Sequence, residues 1–199
     1  MQPVEDAFVR HWPQAERVSL LDDSLSADRS REATLTPATS RRIAALADYA
    51  LGIGAAGILY TCSAFGEAIE AVRRASTVPV LKPNEAMFED ALQHGARIGL
   101  LATFAPSIPS MEAEFMQLSP KAKIRSVCVP RAMTALNAGD GATHDRLLAK
   151  AAAQLVDCDA VMLAQFSSAR ARDAVAAEVR CPVLTSPDAA VLRMRKLLG

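Results

Sequence analysis

The chain has 199 residues, of which 51% are apolar and 5% aromatic, and it carries 22 basic and 22 acidic side chains. This charge balance argues against a nucleic-acid or anionic-membrane partner, because both bind proteins with an excess of positive charge. The sequence also has no run of about 18 apolar residues that would predict a membrane span.

Segments typical of strands alternate along the chain with segments typical of helices. The predicted strands, in chain order, are ERVSLLDD, GILYTC, VPVLKP, RIGLLATF, KIRSVCVP, DAVMLAQF and CPVLTS. The predicted helices are VEDAF before the first strand, then TPATSRRIAALADYAL, GEAIEAVRRA, MFEDALQHG closed by Gly95, MEAEFMQL, residues 142–155 and ARARDAVAAEV, one after each strand in turn. A final helix follows CPVLTS. This alternation predicts an α/β protein with parallel sheets covered by helices on both faces.

The second half of the chain repeats the first. Gly57 aligns with Ala160, an offset of 103 residues, and the sequence Pro-Val-Leu at 79–81 then falls on Pro-Val-Leu at 182–184. Such a repeat predicts two pseudo-symmetric three-layer lobes with a cleft between them. We expect lobe 1 to comprise residues 1–94 plus 186–199, and lobe 2 to comprise residues 95–185.

The repeat also predicts that lobe 1 lacks its first strand. In the second copy a strand over 97–107 precedes the MEAEF helix, whereas the VEDAF helix begins almost at Met1. The start methionine could lie downstream of the true one, the sequence could be trimmed, or lobe 1 could lack a central strand. We favour an incomplete N-terminus.

Polar residues stand where the GILYTC strand meets the next helix. Thr61, Cys62 and Ser63 follow the strand, and ligands of open α/β sheets bind beyond the carboxyl ends of strands. A thiol beside a helix N-terminus is favoured as the thiolate, which can act as a nucleophile or move a carbon-bound proton. Ser63 is the expected N-cap of this helix, and free N–H groups at such a turn can hold a carboxylate.

The other cysteines indicate packing rather than chemistry. Cys128, Cys158 and Cys181 lie in or beside predicted strands, and no C-x-x-C pair or His at ligand spacing accompanies them. The sequence therefore predicts neither a disulfide nor a metal site. The acidic N-terminus lacks the pattern of a signal peptide, and a reducing cytoplasm is the expected compartment.

Three turns together resemble those of a known enzyme family. LYTCSAFGEAIE, LLATFAPS and VMLAQFSSA occur in the order and spacing of the aspartate/glutamate racemase superfamily, which includes aspartate, glutamate and hydantoin racemases, maleate isomerase and arylmalonate decarboxylase. The resemblance covers essentially the whole chain. It implies a cofactor-independent racemase or isomerase of amino-acid metabolism that acts at a carbon alpha to a carboxylate or carbonyl. A small carboxylate or a hydantoin would be the substrate, and a homodimer is expected by analogy.

The resemblance also implies roles for individual residues. The racemases use one cysteine from each lobe on opposite faces of the substrate, and Cys62 matches the first. The implied substrate-binding residues are Thr61, Ser63, Ala64, Thr103, Gln165, Phe166 and Ser167. Gln165 stands where the second cysteine is expected, and an amide cannot act as a base at neutral pH.

A single thiol leaves other activities open. The alternatives are a decarboxylase or cis-trans isomerase of a small dicarboxylic acid, and a non-catalytic carboxylate-binding relative. Four other residues are candidates for a second acid or base: Lys82, Glu85, His144 and Asp188. We expect Glu85 and Asp188 to be helix N-terminal acids, and Lys82 and His144 to be exposed. The loop over 20–30 is either a polar lid or an ordinary solvated loop.

Overall fold

The computed structural model describes residues 2–32 and 34–199, without the side chains of Ser26 and Ser30. Its α-helices are α1 (Gln2–His11), α2 (Ser24–Arg31), α3 (Pro37–Gly52), α4 (Gly66–Ala75), α5 (Glu85–His94), α6 (Ile108–Leu118), α7 (Pro130–Asn137), α8 (Gly141–Ala152), α9 (Arg172–Ala176) and α10 (Ser186–Leu198). The strands are β1 (Ile58–Leu59), β2 (Val80–Leu81), β3 (Arg97–Ala102), β4 (Lys123–Cys128), β5 (Ala160–Leu163) and β6 (Val183–Thr185). Among the described residues, no helix is both long and apolar enough to cross a membrane.

The larger sheet is parallel throughout, with the strand order β4-β3-β5-β6. Alternate residues of β3 and β5 point to opposite faces, as in any strand. One face is covered by α5, α6 and α10, and the other by α7, α8 and α9. Helix α1 packs along α10. These helices and strands form the four-stranded unit, in which both faces of the sheet are buried.

The smaller sheet consists of β1 and β2, which are also parallel. Its core contains six buried side chains, contributed mainly by α2, α3, α4 and β2: Leu25, Ile43, Phe65, Ala68, Ile69 and Val80. The hydroxyl of Tyr60 donates to the carbonyl of Ile43 over 2.8 Å and so ties the end of β1 to α3. We call α2, α3, α4, β1 and β2 the two-stranded unit.

The strand pairing repeats at the offset found in the sequence. Ile58 is paired with Val80, and 103 residues later Val161 is paired with Val183. The N–H of Ile58 donates to the carbonyl of Pro79 over 2.9 Å, and the N–H of Val161 donates to the carbonyl of Pro182 over the same distance. The prediction of an α/β protein with parallel sheets is confirmed, with two and four strands.

The predicted strand at ERVSLLDD is wrong, since residues 16–22 form no regular element. Its counterpart in the repeat is β4, which pairs only with β3. No strand in the described part of residues 2–57 occupies the place of β3. Residues 16–22 therefore have no neighbour to supply the hydrogen bonds of a strand.

The segment over 20–30 is also not simply a loop, because α2 begins within it at Ser24. The guanidinium of Arg42 on α3 donates to Asp22 over 2.5 Å and to Asp28 over 2.6 Å. These hydrogen bonds raise the pKa of Arg42, and they lower the pKa of the Asp22 carboxyl. Two carboxylates on one guanidinium hold α2 against α3.

Two residues expected at the surface lie elsewhere. His144 is completely buried, and its Nδ1 is 2.7 Å from Oδ1 of Asp145. Lys82 is half-buried, with its Nζ 3.2 Å from the carboxylate of Glu114 on α6. By contrast, Gly95 ends α5 as predicted. Its φ of 152° favours glycine, and a Cβ there would lie 2.4 Å from Oδ2 of Asp159.

Candidate functional site

Cys62 and Gln165 occupy equivalent places in the two strand pairs. Each follows a parallel strand and immediately precedes a 3-10 turn, Ser63–Phe65 after Cys62 and Phe166–Ala171 after Gln165. Both have extended backbone, with φ and ψ of −127° and 120° at Cys62, and of −110° and 146° at Gln165. Each unit therefore has one side chain at the equivalent strand end. It is the Cys62 thiol in the two-stranded unit and the Gln165 amide in the four-stranded unit.

Cys62 is half-buried and packs against the core of the two-stranded unit. Thr61, Ser63 and Ala64 beside it are exposed. Among the described residues, no hydrogen bond reaches the Cys62 thiol or the Ser63 hydroxyl. The prediction that Ser63 caps the next helix is wrong, because α4 begins only at Gly66 and its N-cap position is Phe65.

Two side chains near Cys62 were not identified from the sequence. Nε of Arg29 on α2 donates to the carbonyl of Ala64 over 3.2 Å, which places a cation beside the turn that follows Cys62. Burial, with a smaller effect of Asp48, raises the pKa of Tyr60 to about 12. The phenol therefore stays protonated at neutral pH and cannot serve as a base beside the thiol.

Gln165 is held by hydrogen bonds across the larger sheet. Its Oε1 accepts from the N–H of Thr103 over 2.8 Å and from the Thr103 hydroxyl over 3.0 Å. Its Nε2 donates to Oγ of Ser107 over 2.9 Å, and that hydroxyl donates to the carbonyl of Phe104. Thr103 is only 2% exposed. The amide thus joins the carboxyl ends of β3 and β5 and offers no group that could take a proton.

The turn after Gln165 is closed by a second hydroxyl. Oγ of Ser168 donates to the carbonyl of Gln165 over 2.6 Å and accepts from its N–H over 3.2 Å. Phe166 and Ser167, between these residues, are half-buried. Thr103, Ser107, Gln165 and Ser168 therefore form one connected group, to which no hydrogen bond from Cys62 runs within the described chain. Ser107 and Ser168 were missed because nothing local marks them as partners of Gln165.

The candidate second acids and bases are engaged in ion pairs. Glu85 lies in the first turn of α5 and pairs with Arg73, and the Glu85 carboxylate raises the pKa of Arg73. Asp188 lies in the first turn of α10, accepts from the Thr185 hydroxyl over 2.6 Å and pairs with Nε2 of His11 over 2.9 Å. Both are helix N-terminal acids, as expected.

The remaining cysteines are not part of the turns that follow β1 and β5. Cys158 is buried in the core beneath α8 and α9, and Cys181 packs against the same core. Burial raises the pKa of the Cys181 thiol, which therefore stays protonated at neutral pH. Cys128 is half-buried at the end of β4. In the described residues, no three His, Cys, Asp or Glu side chains meet as metal ligands would.

A family model shows the family to which this chain belongs. The family model described as Asp/Glu/Hydantoin racemase matches residues 2–194. A comparison with curated protein sequences finds no match.

Solved structures share the fold at low sequence identity. Allantoin racemase from Klebsiella pneumoniae has a TM-score of 0.71 at 16% identity, covering 99% of this chain and 81% of its own. Aspartate racemase from Picrophilus torridus has a TM-score of 0.70 at 14% identity, covering 98% and 87%. Glutamate racemase from Francisella tularensis, in complex with D-glutamate, has a TM-score of 0.65 at 13% identity, covering 98% and 75%. At these identities the likeness shows the fold alone.

Proposed function

Because this chain belongs to the Asp/Glu/hydantoin racemase family, we propose that it is a cofactor-independent enzyme of the racemase type, which removes and returns a proton at a carbon alpha to a carboxylate or carbonyl without inverting that carbon. Cys62 is the acid and base. A small carboxylate or a hydantoin is the substrate class, in keeping with the solved racemase structure that holds D-glutamate.

We assign the substrate to a cleft between two pseudo-symmetric lobes, residues 1–94 plus 186–199 and residues 95–185. The equal register of the two strand pairs supports this division. By this division α5 and α10 belong to lobe 1, although they pack on the four-stranded sheet of lobe 2, where α5 contacts β5 and β6 and α10 contacts β6, so these two helices connect the lobes. Thr61, Ser63 and Ala64 then line one wall, and Thr103, Gln165, Phe166 and Ser167 line the other.

The chemistry uses one thiol. The Cys62 thiolate takes the proton from the alpha carbon, the C–H bond breaks, and its electron pair moves into the adjacent carbonyl group to give an enolate. Backbone N–H groups of the 3-10 turn and the exposed hydroxyls of Thr61 and Ser63 donate to the developing negative charge. The same thiol returns a proton to the same face, so the alpha hydrogen exchanges with solvent without inversion.

One observation carries this proposal: Cys62 and Gln165 are counterparts in the two strand pairs. Racemisation with two thiols needs a proton donor on each face of the substrate. The amide of Gln165 cannot supply one, because its oxygen already accepts two hydrogen bonds and an amide does not titrate at neutral pH.

Proton NMR in D2O tests the proposal. The protein is incubated with both enantiomers of aspartate, glutamate and several 5-substituted hydantoins, and separately with maleate and an arylmalonate. We expect one enantiomer of one substrate to exchange its alpha hydrogen without racemising. Exchange should disappear in Cys62→Ser and persist in Cys128→Ser, a matched half-buried cysteine. Full racemisation would contradict the single-thiol chemistry, since it requires a second base.

The second candidate is a non-catalytic relative that binds carboxylates. It is favoured by the packing of Cys62 against a core and by the hydrogen bonds that hold both the oxygen and the nitrogen of the Gln165 amide. Alkylation by iodoacetamide distinguishes the two. A catalytic Cys62 reacts rapidly near neutral pH and is protected by the substrate, whereas slow alkylation together with no exchange supports the binding protein. Loss of CO2 from the arylmalonate, or isomerisation of maleate, would indicate a decarboxylase or a cis-trans isomerase.

A further inference from the structure

Asn84 carries a buried hydrogen-bond donor that has no acceptor. The residue is only 2% exposed, and its Oδ1 accepts from the hydroxyl of the completely buried Ser186 over 2.9 Å. Its Nδ2 has no hydrogen-bonding partner among the described residues. Because a buried donor has lost its bonds to water, leaving it unpaired costs free energy, and such a group calls for an acceptor from outside the chain.

The start of helix α5 offers further donors at the same place. Asn84 occupies the N-cap position of α5, but its side chain makes no capping hydrogen bond. The N–H groups of Ala86 and Met87 have no acceptor within the helix, and these residues are 9% and 0% exposed. The acid of this first turn, Glu85, is paired with Arg73, so its charge is balanced. A helix start with free N–H groups favours an anion as the ligand.

Asn84 is also the neighbour of Cys62 at the carboxyl end of the smaller sheet. Strands β1 and β2 end in register at Leu59 and Leu81, and Cys62 and Asn84 each follow three residues later. Within the described chain, no hydrogen bond joins the thiol to the amide. The contact with Ser186, the first residue of α10, places the amide where the two units meet. A ligand lying between these two free groups would contact both.

We propose that Asn84 is a further substrate-binding residue, whose Nδ2 donates to a carboxylate oxygen of the ligand at Cys62. The inference rests on the proposed function, in which the Cys62 thiolate takes the alpha proton of that ligand. As the C–H bond breaks, its electron pair moves into the carboxylate and the charge on this oxygen grows, so the hydrogen bond is stronger in the transition state. Because the amide is buried, the ligand reaches it when the two units part at the contact between Asn84 and Ser186.

The donor can be observed directly by NMR, because the chain contains only two asparagines, Asn84 and Asn137. Protein labelled with nitrogen-15 asparagine is titrated with both enantiomers of aspartate and of glutamate, and separately with the neutral 5-methylhydantoin. We expect at least one acid to shift the side-chain NH2 signal of Asn84 in a saturable way, while that of the exposed Asn137 stays in place. No shift with any of these acids would overturn the proposal, and so would a shift with the hydantoin alone.

The variant Asn84→Asp keeps the acceptor for Ser186 but replaces the donor by an oxygen that repels a carboxylate. It should fold, because aspartate is favoured at the N-cap position of a helix, and thermal unfolding checks this. We expect calorimetry to show at least about tenfold weaker binding of the acid that shifts Asn84. The matched control Asn137→Asp adds the same charge at an exposed position and should bind like wild type. Equal affinity in wild type and Asn84→Asp, or equal weakening in both variants, would contradict the proposal.

Binding is also measured in Cys62→Ser, so that it does not depend on catalysis. A saturable shift of Asn84 in this variant, with no exchange of the alpha hydrogen by wild type, would keep the binding residue and contradict the proposed function. For exchange catalysed by Asn84→Asp, we expect kcat to fall by at least about tenfold and KM to rise. Exchange at the wild-type rate in Asn84→Asp would overturn the role of Asn84 and leave the proposed function in place.

Discussion

Gln165 joins two strands through a single amide group. Its oxygen accepts from both donors of Thr103, and its nitrogen donates to Ser107. A thiol at this position could not replace these contacts, because sulfur is a weak hydrogen-bond acceptor and S–H a weak donor. The residue that stands where the proposed site would need a second base therefore also stabilises the end of the larger sheet.

Replacing Gln165 by leucine should lower the free energy of unfolding by about 1–3 kcal/mol. The buried N–H and hydroxyl of Thr103 would lose their acceptor, and an unsatisfied buried donor costs about this much. Urea denaturation measures the change. The matched control is Gln154→Leu at an exposed position, which should stay within about 0.5 kcal/mol of wild type. An equal decrease in the free energy of unfolding in both variants would show that the contact with Thr103 contributes nothing to stability.

At the scale of single elements, the start of β3 is fixed by one carboxylate. Oδ2 of Asp159 accepts from the N–H groups of Ala96 and Arg97, over 3.0 Å and 2.9 Å, and Oδ1 accepts from the Arg97 guanidinium. The hydrogen bonds from Arg97 lower the pKa of the Asp159 carboxyl below its ordinary value of 3.8. The ionised form is therefore the one that the folded protein stabilises.

The stability contributed by Asp159 should depend on pH. For a carboxyl with a lowered pKa, the contribution is complete above the ordinary pKa of 3.8 and is lost as pH falls through the folded-state value. Thermal unfolding of wild type and Asp159→Asn, followed from neutral to acidic pH, should show a difference in Tm that closes in acid. Asp173→Asn, at a side chain 96% exposed, should show no such trend. A constant difference at every pH would contradict an ionic role.

Apolar periodicity and the internal repeat were sufficient to predict most elements of the four-stranded unit. The strand at ERVSLLDD could not be judged from its own sequence, because a strand forms only beside another strand. Helix α2 was missed because SLSADRSR has few apolar residues and is held instead by Arg42, outside the segment. Sequence patterns therefore predicted the elements that their own residues favour. They failed for segments whose secondary structure depends on residues distant in the chain.

The candidate site also has features that the sequence predicted and features that it did not. The position of Cys62 after a strand, and of Gln165 at the repeat offset, follows from the sequence and agrees with the structure. The contact between Gln165 and Thr103 joins residues 62 positions apart, and no periodicity indicates it. His144 was expected at the surface because it opens a helix, yet it is completely buried, with its Nδ1 paired to Asp145.

At the scale of the whole molecule, the two units have cores of different size. The four-stranded unit has two apolar clusters, one on each face of its sheet, and Phe88 meets Phe115 edge to face within one of them. The two-stranded unit has a single cluster of six buried residues beneath a pair of two-residue strands. Regions with fewer buried contacts open at lower free energy.

We expect the two units to open separately in native-state hydrogen exchange. Phe115→Ala should lower global stability by about 3–5 kcal/mol, because it removes a completely buried ring. Ile69→Ala, which removes an equally buried side chain from the smaller core, should accelerate exchange at 34–81 and leave β3 and β5 protected. Faster exchange of β3 in Ile69→Ala, to the same degree as at 58–81, would show that the chain opens as one cooperative body.

Pro79 and Pro182 act as stops for the two strand pairs. Each accepts the first hydrogen bond of its ladder through its carbonyl, but a proline has no N–H to donate, so the ladder cannot extend past it. A shift in the register of either strand pair would place the proline at a position where the ladder requires an N–H donor. The prolines therefore fix the register of each strand pair. This register determines how far Cys62 and Gln165 lie beyond the carboxyl ends of their sheets. The position of the Cys62 sulfur is thus set from the opposite end of its strand pair, by a proline that is not part of the turn that holds the thiol.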